Sequence, residues 1–447
     1  MNKGGNSLRN LRWLSILFIV VLVLSGCSGF SKGDSAKDAK NEEGENGKVV
    51  LDFWTFWGSE IRRPIIDKIV KDFNDSHDEI EVKHTFIPWG DIWTKELASI
   101  AAGSPPDVVI NDINATALRG QKKQAENLSK YLEKDDISGN FYEELWNATL
   151  YEGDSYGIPF NTDTRVLFYN KDAFEEAGLD PEQPPKTWDE LEEFAEKLDV
   201  KNGDKYDRMG FYPLFGAGTD VWMMNADKVN FIDENDEVQV NTPEKLDTLK
   251  WLKGWHDRYG ANNINSWQSQ MESQQGNPFF SGDLAMLVQQ PTFYTQIRDY
   301  APDLNFGVAL LPEKEPGNGN TSWGGGFVAE IPYGAKNPDE SWEFIKYLTD
   351  KEAQEYWAVK NFDNVANKEA AESAATSDEF DENGKMVYQL AVEAMPQTML
   401  TPTPIVAPDF PTLINPEFDN VYLGKKTPEQ ALEDAQEKVQ KLIDQNK

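Results

Sequence analysis

The chain has 447 residues, 39% of them hydrophobic, with 77 acidic against 43 basic side chains and a net charge of −34. This length exceeds what a single hydrophobic core usually organises, so we expect two domains. The negative charge excludes nucleic acid as an electrostatic partner and disfavours anionic lipid headgroups and phosphorylated ligands. We interpret the acidity as a property that keeps an exported, folded protein soluble.

The first 27 residues have the features of an export signal. Three basic residues precede an apolar run at residues 13–24, which is too short for a comfortable transmembrane span. The run ends in Leu-Ser-Gly-Cys at Cys27, the single cysteine of the chain, and this ending resembles the lipobox of bacterial lipoproteins. We therefore predict that residues 1–27 are a lipoprotein signal peptide and that Cys27 is lipidated, for example with palmitate. The alternatives are an ordinary signal peptide with an incidental cysteine, or an uncleaved anchor.

Residues 28–48 are polar and rich in glycine, serine and charged side chains, a composition typical of a flexible tether. A lone lipidated cysteine leaves no thiol for a structural disulfide. The sequence thus predicts a globular body outside the cell, anchored to the cell membrane through Cys27.

Strand and helix patterns alternate from residue 49 onward. Residues 49–54, 79–86 and 106–110 are typical of strands, and segments with helical periodicity separate them. This order predicts a parallel sheet connected by right-handed crossovers. Ligands of such sheets bind at the carboxyl ends of the strands, which here fall at residues 57–60 and 111–114.

Residues 157–179 are expected to connect the two domains. A short strand breaks at Asn161, Thr162 and Asp163, and a second strand resumes at residues 166–169. A polar interruption between two strands is typical of a chain that crosses from one sheet to another. We therefore predict that these polar residues line a cleft between domains, where ligands tend to bind.

The remainder of the chain is richer in predicted helix. Thr187 and Thr242 are predicted N-caps of amphipathic helices, and residues 427–444 form a third such helix. Residues 305–311 and 325–331 are predicted strands. The Ala-, Glu- and Asp-rich residues 369–383 are interpreted as an exposed helix and loop.

Motifs for catalysis or cofactor binding are missing. His77, His84 and His256 lack metal-ligand spacing, and no nucleophile elbow, P-loop or dinucleotide fingerprint follows a strand. Residues 233–237 resemble a calcium loop but lack its required glycine, so we interpret them as a solvated turn. The glycine run at residues 324–326 is interpreted as a place of close backbone packing. No cofactor and no metal are expected.

Aromatic residues beside polar ones at strand ends favour a sugar ligand. The apolar face of a pyranose stacks on a flat ring, and carboxylate and amide groups pair with its hydroxyls. Five residues are candidates for such stacking: Trp57, Trp222, Phe293, Tyr294 and Trp323. We interpret five tryptophans inside predicted elements as core: Trp54, Trp188, Trp251, Trp255 and Trp342. No role is assigned to Trp89, Trp93, Trp146, Trp267 and Trp357.

Several stretches, taken together and in this order, resemble the extracellular solute-binding proteins of bacterial ABC sugar importers, the group that includes maltose-binding protein. They are residues 51–58, 106–112, 156–179, 184–191, 279–286, 336–350, 393–396 and 427–439.

The resemblance implies an α/β, two-lobed periplasmic-binding-protein fold, with parallel-rich sheets flanked by helices and a chain that crosses the hinge more than once. The expected lobes are residues 49–162 with about 295–347, and residues 163–294 with about 348–447. The resemblance also implies a monomer without catalysis that captures an oligosaccharide. It would hand the sugar to two membrane permease subunits driven by a cytoplasmic ATPase.

The family's ligand contacts, carried over and combined with the residue patterns above, give this predicted binding set: Trp57, Ser59, Glu60, Asn111, Asp112, Asn114, Thr162, Asp163, Trp222, Phe293, Tyr294 and Trp323. Maltose-binding protein has an aromatic residue where this chain has Asn111, and an acid and a base where this chain has Gly58 and Ser59. The identity of the sugar therefore stays open. The alternatives are a surface glycoside hydrolase, or a binder of a non-sugar polyol or a glycerophosphodiester.

Overall fold

The computed structural model describes residues 47–271 and 276–447, so the predicted signal peptide, Cys27 and most of the tether lie outside the described residues. Within that part the strands are β1 (Val49–Thr55), β2 (Ile80–Phe86), β3 (Val108–Asp112), β4 (Leu150–Tyr151), β5 (Asp154–Ser155), β6 (Ile158–Thr162), β7 (Val166–Asn170), β8 (Val200–Asn202), β9 (Lys205–Arg208), β10 (Met286–Gln289), β11 (Phe306–Leu310), β12 (Ser322–Trp323), β13 (Gly326–Glu330), β14 (Asn364–Val365) and β15 (Thr398–Met399).

The α-helices are α1 (Arg62–Ser76), α2 (Ile92–Ala101), α3 (Thr116–Gln121), α4 (Ser129–Leu132), α5 (Glu143–Ala148), α6 (Lys171–Glu176), α7 (Trp188–Leu198), α8 (Thr219–Asp227), α9 (Pro243–Tyr259), α10 (Ala261–Met271), α11 (Pro278–Ser281), α12 (Tyr294–Tyr300), α13 (Pro338–Leu348), α14 (Lys351–Asn361), α15 (Lys368–Ala374), α16 (Glu382–Ala394), α17 (Pro411–Tyr422) and α18 (Pro428–Asn446). Short 3-10 turns cover Ile113–Ala115, Ser138–Asn140, Pro291–Phe293 and Met395–Gln397. No helix in the described ranges is both long and apolar enough to cross a bilayer.

Threonine caps explain where three of the long helices begin. The side chains of Thr187, Thr242 and Thr427 each accept a hydrogen bond from a backbone N–H in the first turn of α7, α9 and α18. At Thr427 the return bond from Gln430 completes a capping box. The predicted starts of these helices are confirmed. Helix α15 differs from its prediction because Ala370, Ala371 and Ala374 are buried, so this alanine-rich segment is not an exposed helix.

The larger sheet has six strands in the order β14-β6-β13-β3-β1-β2. Strands β2 and β3 run parallel to β1, whereas β13 runs antiparallel to both β3 and β6. The carboxyl ends of β1, β2, β3 and β6 therefore meet at one edge of the sheet, together with the beginning of β13. We call this the binding edge.

A smaller antiparallel sheet has the order β10-β7-β11. Because β6 belongs to the larger sheet and β7 to the smaller, the chain passes from one to the other at residues 163–165, as predicted. It passes back between β11 and β13.

Strand pairing differs from the predicted lobe boundaries in two places. Strand β11 pairs with β7, although residues from about 295 to 347 were expected with the first lobe. Strand β14 pairs with β6, although residues from about 348 onward were expected with the second. Both differences have the same cause. The sequence of a strand, such as β11 or the two-residue β14, does not show which strand it will pair with. The return from the smaller sheet thus lies after residue 310, not near 295.

A buried group of charged side chains lies beneath the larger sheet. Arg119 on α3 pairs with Glu96 on α2 and, at 2.7 Å, with Glu330 at the end of β13. Asn111 of β3 donates hydrogen bonds to both carboxylates. Two carboxylates face one guanidinium here. Burial, followed by repulsion from Glu330, raises the pKa of Glu96 to about 7 against the opposing attraction of Arg119.

The stability of the protein should therefore depend on pH through Glu96. A carboxyl group whose folded pKa is raised stabilises the fold below its unfolded pKa and loses this contribution as the pH rises through its folded value. We expect the free energy of unfolding to fall by on the order of 1–3 kcal/mol between pH 5 and pH 8. In Glu96→Gln the decrease in the free energy of unfolding over this pH range should be smaller. Denaturant unfolding at several pH values measures the decrease. Glu437→Gln, at an exposed position, is the control and should show the same pH dependence as the wild type. An equal slope in Glu96→Gln and wild type would contradict the assignment.

Candidate functional site

Buried hydroxyl groups join the segments that pass between the sheets. The Thr164 hydroxyl lies 3.1 Å from that of Ser322 and 2.6 Å from that of Thr398. Ser322 also accepts a hydrogen bond from Arg165 N at 2.8 Å and donates one to Arg165 O. These contacts connect residues 164–165 with β12 and β15, which pair with each other. We call Thr164, Ser322 and Thr398 the hydroxyl cluster.

Asp163 lies next to the hydroxyl cluster and is half-buried. Its Oδ1 accepts a hydrogen bond from Gly325 N at 2.7 Å and lies 3.3 Å from an Arg165 guanidinium nitrogen, while its Oδ2 accepts one from Gln290. Gln290 follows β10 of the smaller sheet and Gly325 precedes β13 of the larger one. The carboxylate therefore touches residues from both sheets at the point where the chain crosses between them.

The glycine run beside Asp163 allows a close approach of backbones. A Cβ at Gly324 would lie 2.1 Å from the Asp163 carbonyl oxygen, and one at Gly326 would lie 2.3 Å from that of Asn161. Neither distance is sterically possible. The interpretation of this run as a place of close backbone packing is confirmed.

Asp112 and Asn114 bring further polar groups to the binding edge. Asp112 accepts a hydrogen bond from Asn114 N at 2.8 Å, and the Asn114 side chain accepts one from Thr401 N at 3.2 Å. Burial, with a smaller effect of the Asp163 charge, raises the pKa of Asp112. Two carboxylates thus lie near enough to affect each other at this edge.

Trp323 is a half-buried aromatic residue beside these carboxylates. The Arg165 guanidinium carbon lies 4.8 Å from the centre of its ring, within the range of a cation–π contact. Its indole nitrogen donates a hydrogen bond to Thr401 at 3.3 Å. The ring is held in a fixed orientation, with part of its surface still accessible.

Ser59 and Tyr294, two predicted binding residues that are distant in sequence, line one cavity of about 330 Å³. Tyr294 donates its hydroxyl hydrogen bond to Asp381, and the Ser59 hydroxyl accepts one from Arg62 N. The cavity also contains Thr292, two residues after the Gln290 that binds Asp163. Glu60 follows Ser59 and is exposed.

Other members of the predicted binding set are buried in the protein. Trp57 is 1% exposed and contacts Phe160 and Trp357, at ring-centre distances of 4.9 and 4.4 Å. Trp222 is 0% exposed and donates its indole hydrogen bond to Pro213 O. These placements argue against a stacking role for either tryptophan, because no ring face is accessible.

Asn111, Thr162, Phe293 and Tyr294 are also buried, and Tyr294 is 4% exposed although it borders the cavity. Strand β3 extends two residues beyond its predicted end, so Asn111 becomes a sheet residue whose amide faces the Glu96–Arg119–Glu330 group. Thr162 donates to Gly325 O at 3.0 Å. Phe293 packs against Phe168 and Phe280.

The structure brings aromatic residues to the binding edge that the sequence analysis did not assign. Phe56 follows β1, Trp89 lies in the loop after β2, and Phe327 is the second residue of β13. The Phe56 ring centre lies 4.7 Å from that of Trp89 and 4.8 Å from that of Phe327. Trp89 is 52% exposed. The sequence did contain one indication that Trp89 lies at the binding edge, because this residue follows a predicted strand of the parallel sheet.

The side chains at the binding edge can form hydrogen bonds with the hydroxyl groups of a ligand, and the aromatic rings there can stack on a flat apolar surface of a ligand. In the described ranges no group of three or more His, Cys, Asp or Glu side chains is placed to hold a metal ion. The carboxylates of Asp112 and Asp163 and the amides of Asn114 and Gln290 supply polar partners at the binding edge.

Replacement of Trp57 should distinguish a core residue from a ligand platform. We expect Trp57→Ala to lower the free energy of unfolding by about 3–5 kcal/mol, because a large cavity forms among Phe160 and Trp357. The exposed Trp89→Ala, as the matched control, should lower it by less than about 1 kcal/mol. Denaturant unfolding measures both, and equal stabilities of the two variants would show that Trp57 is not a core residue.

Comparison with known proteins places this geometry in a family. Residues 57–355 match the model of the bacterial extracellular solute-binding protein family. A solved structure of CpMnBP1 with mannotriose bound is similar, at 31% identity and a TM-score of 0.74, and the match covers 88% of this chain and 100% of that one.

Two further relatives are similar in sequence. A protein of Brucella abortus (strain 2308) named as a binding protein is 26% identical over 391 residues, covering 85% of this chain and 90% of its own length. The sn-glycerol-3-phosphate-binding periplasmic protein UgpB of Escherichia coli K12 is 29% identical over 310 residues, covering 64% of this chain and 66% of its own length. Since the family model matches more than half of the chain, this protein belongs to the bacterial extracellular solute-binding protein family.

Proposed function

We propose that this protein captures an oligosaccharide in the cleft between its two sheets and delivers it to an ABC importer. In this role it performs no catalysis and needs no cofactor. The observation that carries the proposal is the binding edge, where carboxylates and amides lie beside exposed or half-buried aromatic rings. A sugar presents hydroxyls for the first and an apolar ring face for the second.

The similarity to CpMnBP1 supports this assignment, because that protein was solved with mannotriose bound and is matched along its whole length. Membership of a solute-binding family supports capture without chemistry. The predicted partners are two permease subunits and their cytoplasmic ATPase, and the predicted working form is a monomer. The residues proposed to contact the ligand are Ser59, Glu60, Asp112, Asn114, Asp163, Tyr294 and Trp323.

Glycerophosphate or a glycerophosphodiester is the second candidate ligand, favoured by the similarity to UgpB. The charges around Asp163 argue against it. Arg165 is already paired with Asp163, and Asp112 lies close to that pair. A phosphate placed there would meet two carboxylates and a cation that is already neutralised, which disfavours an anion.

Calorimetric titration tests the ligand class. We expect the protein to bind a mannose or maltose oligosaccharide and not to bind glycerol 3-phosphate. The reverse result would show that the ligand is a glycerophosphate and not a sugar. Asp163→Ala should weaken sugar binding about tenfold or more, because a charged hydroxyl acceptor is lost. Asp163→Asn, which keeps an acceptor for Gly325 N, should weaken it less.

Asp75→Ala is the matched control for this measurement, since Asp75 is an exposed aspartate near the end of α1 farthest from the binding edge. Its sugar affinity should equal that of the wild type. Thermal unfolding of each variant separates loss of a contact from loss of the fold. Unchanged affinity in a folded Asp163→Ala would remove this carboxylate from the proposed contacts.

We also propose that Cys27 is lipidated and holds the protein at the outer face of the cell membrane. The support is the apolar run that ends in Leu-Ser-Gly-Cys. Expression of the full chain with Cys27→Ala in a bacterial host should move the protein from the membrane fraction to the culture medium or soluble extract. Ser28→Ala is the control that should stay in the membrane fraction. Membrane retention of Cys27→Ala would indicate an uncleaved anchor.

A further inference from the structure

His84 joins helix α1 to the end of β1 through hydrogen bonds at both of its ring nitrogens. Its Nδ1 lies 2.7 Å from Asp67 Oδ1 on α1, and its Nε2 lies 2.7 Å from the Thr55 hydroxyl at the end of β1. The His84 side chain is only 3% exposed, and Thr55 is fully buried. A carboxylate can only accept a hydrogen bond. Nδ1 of the neutral ring therefore carries the proton, and Nε2 accepts a hydrogen bond from the Thr55 hydroxyl.

The Thr55 hydroxyl also fixes the backbone of the loop that follows β1. Trp57 N donates a hydrogen bond to Thr55 Oγ1 at 3.1 Å. In the described ranges this bond and the one with His84 are the hydrogen bonds of the hydroxyl. Ser59, a proposed ligand contact, follows in the same loop. We call the chain of hydrogen bonds from Asp67 through His84 and Thr55 to this loop the histidine relay.

Strand β2 touches the same loop at a second point. Phe86 lies opposite Thr55 in the strand register, on the same face of β2 as His84. A Cβ built at Gly58 would lie 2.3 Å from the Phe86 ring, so this ring rests on the loop backbone. The loop is therefore held against β2 both at Trp57, through the relay, and at Gly58.

The charge of His84 depends on groups from two neighbouring elements. Burial lowers the pKa of the ring below its usual value. The hydrogen bond and the charge of Asp67 oppose this effect, Arg63 on α1 adds to it, and Asp52 on β1 opposes it least. His84 is therefore neutral at pH 7 and takes up a proton only in a more acidic medium.

Protonation would reverse the hydrogen bond between His84 and Thr55. Both ring nitrogens of a protonated histidine are donors, so Nε2 would donate to the Thr55 oxygen, which already accepts from Trp57 N. The hydroxyl proton of Thr55 would lose its present acceptor inside the protein, and a buried donor without a partner is unfavourable. The observed relay thus fits a neutral ring, and a proton on Nε2 opposes the arrangement that holds Trp57.

We propose that His84 is a positioning residue that makes ligand affinity depend on pH: the neutral ring holds the loop of Ser59 and Glu60 in place through Thr55, and protonation of the ring releases this loop. The inference rests on the proposed function. Release lowers the fraction of the protein whose loop is arranged for binding, and the apparent affinity decreases by that fraction. A receptor outside the cell meets the pH of the medium directly, so it would bind its ligand less tightly as the medium becomes acidic.

Calorimetry at pH 7.5 and pH 5.5 with mannotriose and with maltotriose tests the effect on affinity. For whichever trisaccharide binds, we expect the wild-type affinity to be about 3- to 10-fold weaker at the lower pH. His84→Gln should lose most of this decrease, because glutamine does not titrate but keeps an acceptor for the Thr55 hydroxyl. The carboxylates of the site are the same in both proteins, so the difference between their pH profiles reports His84.

His256→Gln is the matched control for this measurement. His256 is a half-buried histidine on α9 that packs against Tyr422, and burial lowers its pKa as well. It lies outside the relay, so this variant should keep the pH profile of the wild type. Thermal unfolding at both pH values confirms that each variant is folded.

Thr55→Val removes the middle of the relay and keeps a β-branched side chain of similar shape. We expect weaker binding than in the wild type at pH 7.5, because Trp57 N loses its acceptor. The affinity should also change little between the two pH values, because the ring no longer acts on the loop. A folded Thr55→Val with the full wild-type decrease would overturn the relay.

Nuclear magnetic resonance measures the relay without a ligand. In the nitrogen-15-labelled wild type, the amide signal of Trp57 should shift with the same midpoint as the ring signals of His84. In His84→Gln the amide signal should not shift over this pH range. A Trp57 amide signal that stays constant while His84 titrates would overturn the relay.

The outcomes separate this inference from the proposed function. Equal pH profiles of wild type and a folded His84→Gln would overturn the role of His84 and leave the oligosaccharide receptor intact. Absence of binding of both trisaccharides by the wild type at pH 7.5 would overturn the proposed function, and the control of affinity with it.

Discussion

The hydroxyl cluster of Thr164, Ser322 and Thr398 is the contact on which the two-part architecture depends. These residues come from separate segments near the junction of the sheets, and each hydroxyl is buried. A buried hydroxyl without a partner is unfavourable, so the segments must remain together if the network is to stay satisfied. These bonds hold residues 164–165 to β12 and β15 at the place where the chain leaves the larger sheet for the smaller one. Asp163 lies immediately next to the cluster and accepts hydrogen bonds from Gln290, which follows β10 of the smaller sheet, and from Gly325, which precedes β13 of the larger one.

The parallel pairing of β1, β2 and β3 explains why distant residues converge on the binding edge. A helix connects β1 to β2 and another connects β2 to β3, so the three strands run in the same direction and their carboxyl ends lie at the same edge. Strand β13 enters antiparallel from the same edge and brings Gly325 and Phe327 with it. Gly324, which precedes β13, and Gly326, its first residue, are needed because the backbone there approaches Asp163 and Asn161 too closely for a Cβ. Topology and close packing together place the acids beside the aromatic rings.

Local sequence patterns predicted the crossing at residues 163–165 and the starts of the capped helices, because both depend on neighbours within a few residues. They could not separate Trp57 from Trp89, since each tryptophan follows a strand beside polar or glycine residues. The difference arises from Phe160 and Trp357, which reach Trp57 from distant parts of the chain and cover it. Trp89 has no such cover on one side and stays exposed. The return of the chain after β11 was misplaced for a related reason: a strand's own sequence does not identify the sheet it joins.

The electrostatics of the cleft favour a neutral ligand under the proposed function. Burial raises the pKa of Asp112, and the nearby charge of Asp163 adds to that rise. Burial also raises the pKa of Asp220, with Arg165 opposing it, so a third acid lies near the same guanidinium. Carboxylates that are partly removed from water gain most from hydrogen-bond donors that bring no negative charge. Sugar hydroxyls are such donors, whereas a phosphate would add repulsion that Arg165, already paired with Asp163 and near Asp220, does not offset.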